Sequence, residues 1–225
     1  MPVYRLTDAP DFPDPRNAEP EGLLALGGDL GVVRLLKAYA SGIFPWYGEG
    51  DPILWWSPPR RALIIPGEEH IPVRARRAIR SASFEVRVDT AFERVIEGCA
   101  RIPREGQDGT WITLAMEKAY LELHREGYAH SFETWKAGEL VGGLYGLSLG
   151  AAFFGESMFS GQDYASRAAF AALCAAAKAW GFHFIDGQLP NANLLQLGAI
   201  VIPRQEYLDR LAVALTLPTR RGVWS

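Results

Sequence analysis

Four groups of side chains are the ones most able to do chemistry. The string "IDGQ" sets Asp186 and Gln188 around Gly187, at the end of the apolar strand pattern "FHFID". The string "FFGESMF" sets one carboxylate, Glu156, among Phe153, Phe154, Met158 and Phe159. A carboxylate in apolar company is either paired or functional, because an uncompensated charge out of water is unstable. "RARRAIR" brings Arg76 and Arg77 to the helix face of Arg80, since residues three and four apart are neighbours. Such a face is either solvated or used to grip phosphate oxygens. Two loop tryptophans, Trp46 after Pro45 and Trp111 after Thr110, belong either to the core or to a platform on which a nucleobase stacks.

Other chemistries lack their residues. The histidines, His70, His124, His130 and His183, are scattered, and no cysteine pair has ligand spacing, so no metal site is expected. "GESMF" lacks the last glycine of a nucleophile elbow and lies on a strand pattern, which argues against Ser157 as a nucleophile. No phosphate-binding loop of the G-x-x-x-x-G-K-[ST] or G-x-G-x-x-G type is present, so no cofactor is implied. Cys99 and Cys174 sit in apolar helical patterns and read as free, buried thiols.

These groups need elements to position them. The chain has 225 residues, 48% of them hydrophobic, enough for one or two cored domains. Its net charge of −3 leaves a nucleic-acid partner only a local basic patch. Neither a signal peptide nor an 18-residue apolar run of the kind that spans a membrane is found. Residues 1–62, rich in Pro, Gly and Trp, read as a small turn-rich N-terminal domain with one helix at Val32–Ser41. Residues 63–225 read as a mixed α/β domain. A basic helix at Arg74–Arg80 opens it. From Ser83 the order is β, α, α, β, β, β, α, β, α, β, α, with Thr90 and Thr113 as helix caps. "KAGE" is a hairpin turn, and an Ala-rich helix packs close to a sheet.

That order resembles the fold of the Gcn5-related N-acetyltransferases, an α/β (α+β) mixed sheet whose fourth and fifth strands splay. The resemblance would place Glu156 and Asp186 together in the cleft. The segment after the fourth strand, "MFSGQDYASRAAF", does not make the pyrophosphate loop of a coenzyme A enzyme, so coenzyme A is not the expected acyl donor.

The strings "GLLALGGDL", "GIFPW", "DPILWWSP", "GTWIT", "HSFETW", "ELVGGLYG", "FFGESMFS", "IDGQ" and "LGA" occur in this order along the chain. Together they resemble the leucyl/phenylalanyl-tRNA–protein transferases over nearly its whole length. The resemblance implies a cytoplasmic enzyme that moves Leu or Phe, and also Met, from an aminoacyl-tRNA to proteins beginning with Arg or Lys. The product is marked for N-degron proteolysis. By position, Trp46 and Trp111 would sandwich the terminal adenine. Leu144 and Leu173, with Phe154 and Met158, would line the donor side-chain pocket. Arg76, Arg77 and Arg80 would hold the acceptor stem, and Glu156, Asp186 and Gln188 would sit at the reacting groups. Gly187 stands where the family often has Cys, and Asn193 where it often has His.

Aminolysis of an ester runs downhill without ATP or a metal. An α-amine titrating near 7.7–8.0 is already partly neutral at cellular pH, so the site must mainly orient it. Gln188 can accept a hydrogen bond from the amine, with Asp186 polarising it. The rival proton carrier is the 2′-hydroxyl of the donor adenosine. Two other classes compete: a coenzyme A-dependent N-acetyltransferase and a non-catalytic tRNA-end binder. With no coiled-coil seam, a monomer is expected.

Overall fold

The computed structural model describes residues 3–101 and 112–224. In chain order its strands are β1 (Tyr4–Leu6), β2 (Leu23–Gly27), β3 (Phe44–Pro45), β4 (Leu54–Trp56), β5 (Arg60–Ile64), β6 (Glu85–Val88), β7 (Ala129–Lys136), β8 (Glu139–Leu149), β9 (Ala152–Ser160), β10 (Phe184–Asp186) and β11 (Ile200–Pro203). The helices are α1 (Val32–Ala40), α2 (Val73–Ser81), α3 (Phe92–Arg101), α4 (Leu114–Arg125), α5 (Ala165–Ala179), α6 (Ala192–Gln196) and α7 (Arg204–Ala214).

The N-terminal region builds a sheet of its own, in the order β1-β2-β4-β3. The sequence shows turns and one helix here but no strands, because strands of two to five residues are too short to display alternation. Aromatic burial holds the sheet: Trp55 is fully buried, its indole N–H donates to the Gly27 carbonyl at 2.9 Å, and Phe12 meets it edge-on.

The second sheet has the order β11-β5-β10-β9-β8-β7-β6 and is mixed: β9 and β10 run parallel, and every other neighbouring pair is antiparallel. Strand β5 belongs to this sheet and runs across position 62. One face carries α5, whose alanines permit close approach. A methyl group at Gly142 on β8 would lie 2.6 Å from the Ala165 Cβ. Phe132, Leu144, Phe153, Phe170 and Leu173 form the core on that side. The larger core on the other side includes Tyr39, Phe92, Tyr120, Tyr145, Phe154 and Tyr207, and it is continuous with Trp55 and Phe44 of the small sheet.

Two features of this sheet shape the site. The parallel β9–β10 ladder ends at the pair Asp186–Phe154, while β9 continues to Ser160. Just beyond that point β9 bulges: Gly146 pairs with Gly155 and Tyr145 with Ser157, leaving Glu156 as the extra residue. A bulge of this kind re-aims a side chain and flips the alternation after it. Phe153 and Met158 consequently share the α5 side, while Phe154 and Phe159 share the other.

Local turn chemistry follows expectation in most places. Thr113 caps α4 by accepting from the Met116 N–H, and Ala137 and Gly138, both at positive φ, make the β7–β8 turn. Thr90 differs from expectation. Its hydroxyl donates to the Glu133 carboxylate at 2.6 Å, and that carboxylate also receives the Thr90 and Ala91 backbone N–H groups leading into α3. A long-range acid from β7 thus takes the place of the local capping box.

Candidate active site

Glu156 is buried, and three donors converge on its carboxylate. The Tyr39 hydroxyl reaches Oε1 at 2.7 Å, the Tyr120 hydroxyl reaches Oε2 at 2.7 Å, and the Gln188 side-chain amide reaches Oε1 at 2.8 Å. Tyr39 comes from α1 and Tyr120 from α4, so the N-terminal region and the large domain both hold this one acid. Burial pushes the Glu156 carboxyl up to about 7, and the neighbouring charge of Asp186 adds to this. The two tyrosine hydrogen bonds and the Arg61 cation pull the other way. Burial and Glu156 together keep both phenols far above their ordinary range, so they remain donors.

Asp186 is fully buried and bound to different partners. Arg61 on β5 grips it with Nε at 2.9 and 3.0 Å and Nη2 at 2.7 Å, and the Tyr207 hydroxyl donates at 2.7 Å. The Arg61 guanidinium lies over the rings of Tyr207 and Phe44, at 4.4 and 4.8 Å. Asp186 also accepts the backbone N–H of Gln188 at 2.8 Å. That bond holds Gln188 at φ +61, in the left-handed region that a non-glycine residue seldom enters. The expected contact of Asp186 with the Gln188 amide is therefore replaced. The carboxylate touching that amide is Glu156, and Asp186 reaches Gln188 only through the main chain.

Beside this pair opens a cavity of about 410 Å³. Its walls include Leu144, Met158, Phe170, Leu173 and Ile185, together with Glu156, Asp186, Gly187, Asn193 and Leu194. Of the four residues expected in an apolar pocket, Leu144, Met158 and Leu173 line it. Phe154 does not. The bulge at Glu156 turns it to the opposite face, where it packs edge-on against Tyr39 with ring centroids 5.2 Å apart.

The outlying residues are placed as follows. Trp46 is partly buried and packs edge-on against Trp56, whose indole N–H donates to the Trp46 carbonyl at 2.7 Å. Trp111 lies outside the described residues. Arg76, Arg77 and Arg80 are exposed on α2, which is anchored by the buried Ala75, and the Arg76 Nε donates to the Ile71 carbonyl at 2.9 Å.

Four contributors were missed from sequence: Tyr39, Tyr120, Arg61 and Tyr207. Each stands in an amphipathic helix or apolar strand where a core role is the ordinary reading. Only the tertiary fold joins Arg61 to an acid 125 positions away.

The chain resembles known proteins of one family along its whole length. The sequence model of the leucyl/phenylalanyl-tRNA protein transferases matches residues 63–212, and that of their N-terminal domain matches residues 28–59. The leucyl/phenylalanyl-tRNA–protein transferase of Anaeromyxobacter dehalogenans strain 2CP-C is 53% identical over 224 residues, covering 100% of this chain and 96% of that protein. The relatives of the same name from Desulfatibacillum aliphaticivorans and Myxococcus xanthus are each 52% identical, covering 100% of this chain and 97% of theirs. Among solved structures, that of L-PGS from Bacillus licheniformis aligns with a TM-score of 0.42 at 11% identity, over 88% of this chain and 74% of that one, too remote to carry an argument. With more than half its residues shared along its entire length with such relatives, the chain belongs to the leucyl/phenylalanyl-tRNA–protein transferase family.

Proposed function

We propose that this chain transfers leucine or phenylalanine, and also methionine, from an aminoacyl-tRNA to the α-amine of a protein beginning with Arg or Lys. The amine attacks the ester carbonyl, a peptide bond forms, the ester bond to the terminal ribose breaks, and a proton passes from the amine to the leaving oxygen. The modified protein becomes a substrate for N-degron proteolysis, and the reaction belongs in the cytoplasm, where charged tRNA is found. The observation that carries this reading is the meeting of a triply held carboxylate, Glu156, with a largely apolar cavity with room for a Leu or Phe side chain.

The residues divide the work. Leu144, Met158 and Leu173, with Phe170, hold the donor side chain. The Gln188 amide gives its N–H to Glu156, which leaves its oxygen as an acceptor for an N–H of the attacking amine. Glu156 orients and polarises that amide and offsets the charge developing on the amine. Asp186 acts one step back, as the group that fixes the Gln188 backbone. Holding the amine against the ester in this way supplies several kcal/mol of the barrier reduction. Trp46, with Trp111, stacks the terminal adenine, and Arg76, Arg77 and Arg80 meet the acceptor stem. Residues 1–62 act as a domain that delivers Trp46 and Tyr39, and residues 63–225 as the one that carries the cavity.

The test is transfer of labelled leucine from Leu-tRNA to a protein beginning with Arg, by the wild type and by Glu156→Ala. Transfer by the wild type and a loss of about 100-fold or more in the variant is expected. Binding of the tRNA with no transfer would replace the enzyme by a tRNA-end binder. Acetylation of the acceptor from acetyl-coenzyme A would move it to the acetyltransferases.

A further inference from the structure

We propose that Leu194, leaning across Gly187, sets the size of the donor side chain that the cavity accepts. This rests on the transferase reading above and assigns it a specificity-determining residue.

The geometry is local and asymmetric. Most of the cavity is walled by rigid elements: Leu144 and Met158 on paired strands, and Phe170 and Leu173 on the long helix α5. The remaining wall is α6, a five-residue helix whose Ala192, Asn193, Leu195 and Gln196 are exposed. Leu194 is the side chain of that helix that both lines the cavity and is half-buried. It occupies the volume that a side chain at position 187 would take. A Cβ built on Gly187 would lie 2.7 Å from one Leu194 methyl and 3.1 Å from the other. The nearer contact is shorter than a real Cβ makes, so any side chain at 187 would push the Leu194 methyls from their present position. Glycine here serves close packing and not a special backbone angle. The neighbouring wall residue Asn193 makes only a long contact, Nδ2 to the Met158 sulfur at 4.0 Å, so it does not brace α6 firmly.

A wall made by one branched side chain on a short exposed helix is the part of the cavity whose size responds to a single substitution. Leu194→Ala deepens the cavity and favours the larger donor. Leu194→Phe fills it and favours the smaller one. Discrimination in apolar pockets changes by about tenfold or more per one or two carbon atoms. The kcat/KM ratio for Phe-tRNA over Leu-tRNA is therefore expected to rise about tenfold in Leu194→Ala and to fall in Leu194→Phe. In parallel, binding of non-hydrolysable leucyl- and phenylalanyl-adenosine, amide-linked at the 3′ position, is measured by calorimetry on the same full-length variants. Gly187→Ala should lower the Tm, and the double variant Gly187→Ala with Leu194→Ala should recover most of that loss, because the added methyl then has room.

Ratios unchanged within twofold for both folded Leu194 variants would overturn the assignment. So would a Gly187→Ala defect that Leu194→Ala does not relieve. If the wild type transfers neither amino acid yet the two adenosine ligands show the shifted ratio, the transferase reading fails and the role of Leu194 stands.

Discussion

The side-chain amide of Gln188 donates to Glu156 across 2.8 Å, while Asp186, two residues before it, meets only the Gln188 backbone. The two acids of the site therefore bind different parts of the same residue. Glu156 binds the Gln188 side chain, and Asp186 holds the turn that carries it.

The separation predicts how Asp186 variants fail. Removing one partner of a buried ion pair leaves the other charge uncompensated, a loss of about 3–5 kcal/mol. Asp186→Ala and Arg61→Met should each lower stability by about that amount in guanidinium denaturation, and the double variant by much less than the sum. Transfer by Asp186→Ala should fall because Gln188 leaves its left-handed conformation. A fully stable but inactive Asp186→Ala would return Asp186 to the reacting groups.

Glu156 makes stability depend on pH in a defined direction. Its carboxyl is raised from 4.5 to about 7 in the folded chain, so the folded state holds a proton that the unfolded state has released in that window. Stability from this group is complete at low pH and declines as pH rises from about 4.5 to about 7. Glu156→Gln lacks the decline. The difference between the two stability curves should therefore grow in favour of the variant up to neutrality and then level off. Curves that stay parallel would mean that Glu156 titrates normally.

The tyrosines tune the same acid. Each hydroxyl stabilises the carboxylate, so Tyr39→Phe or Tyr120→Phe should raise the Glu156 pKa further. The acid limb of the transfer rate should then move to higher pH in either variant and be absent in Glu156→Gln. A uniform drop in rate with an unmoved limb would leave the tyrosines a packing role alone.

Trp224 ties the C-terminal segment to the sheet. It stacks on His130 at 3.7 Å, its backbone N–H donates to Asp89 at 2.8 Å, and Trp180 and Phe182 close around it. Trp224→Ala should destabilise by about 3–5 kcal/mol, read by denaturant midpoint. Burial lowers the His130 pKa, so the wild type should lose stability as pH falls below the usual histidine range. The variant, with that imidazole opened to water, should lose less.

The basic face of α2 predicts the salt response. If Arg77 and Arg80 contact phosphates, replacing each with Ala should reduce the slope of log affinity for tRNA against log salt by about 1. An unchanged slope would assign these residues to a solvated face.

Much of the fold was legible because local rules agree with it. The Thr113 cap, the Ala137–Gly138 turn and the glycine after α5 each mark an element end by backbone chemistry that a short window contains. The Ala-rich helix is likewise readable as one that packs close to a sheet, although its partner Gly142 was not. The four-stranded N-terminal sheet was not legible, since strands of two to five residues are too short for alternation to stand out.

By itself, the sequence determined the family, and it singled out Glu156, Asp186 and Gln188 but not the tyrosines and arginine that hold them. Uncommon Trp- and Gly-containing strings in order are specific, and "FFGESMF" and "IDGQ" put charge where apolar patterns cannot ignore it. The tertiary structure alone decided which partner each acid has. It set Arg61 and Tyr207 on Asp186, set Tyr39, Tyr120 and Gln188 on Glu156, and turned Phe154 away from the cavity. The physical reason is that hydrogen bonds and ion pairs form between groups distant along the chain, and a single extra residue in a strand reverses which side chains face a cavity.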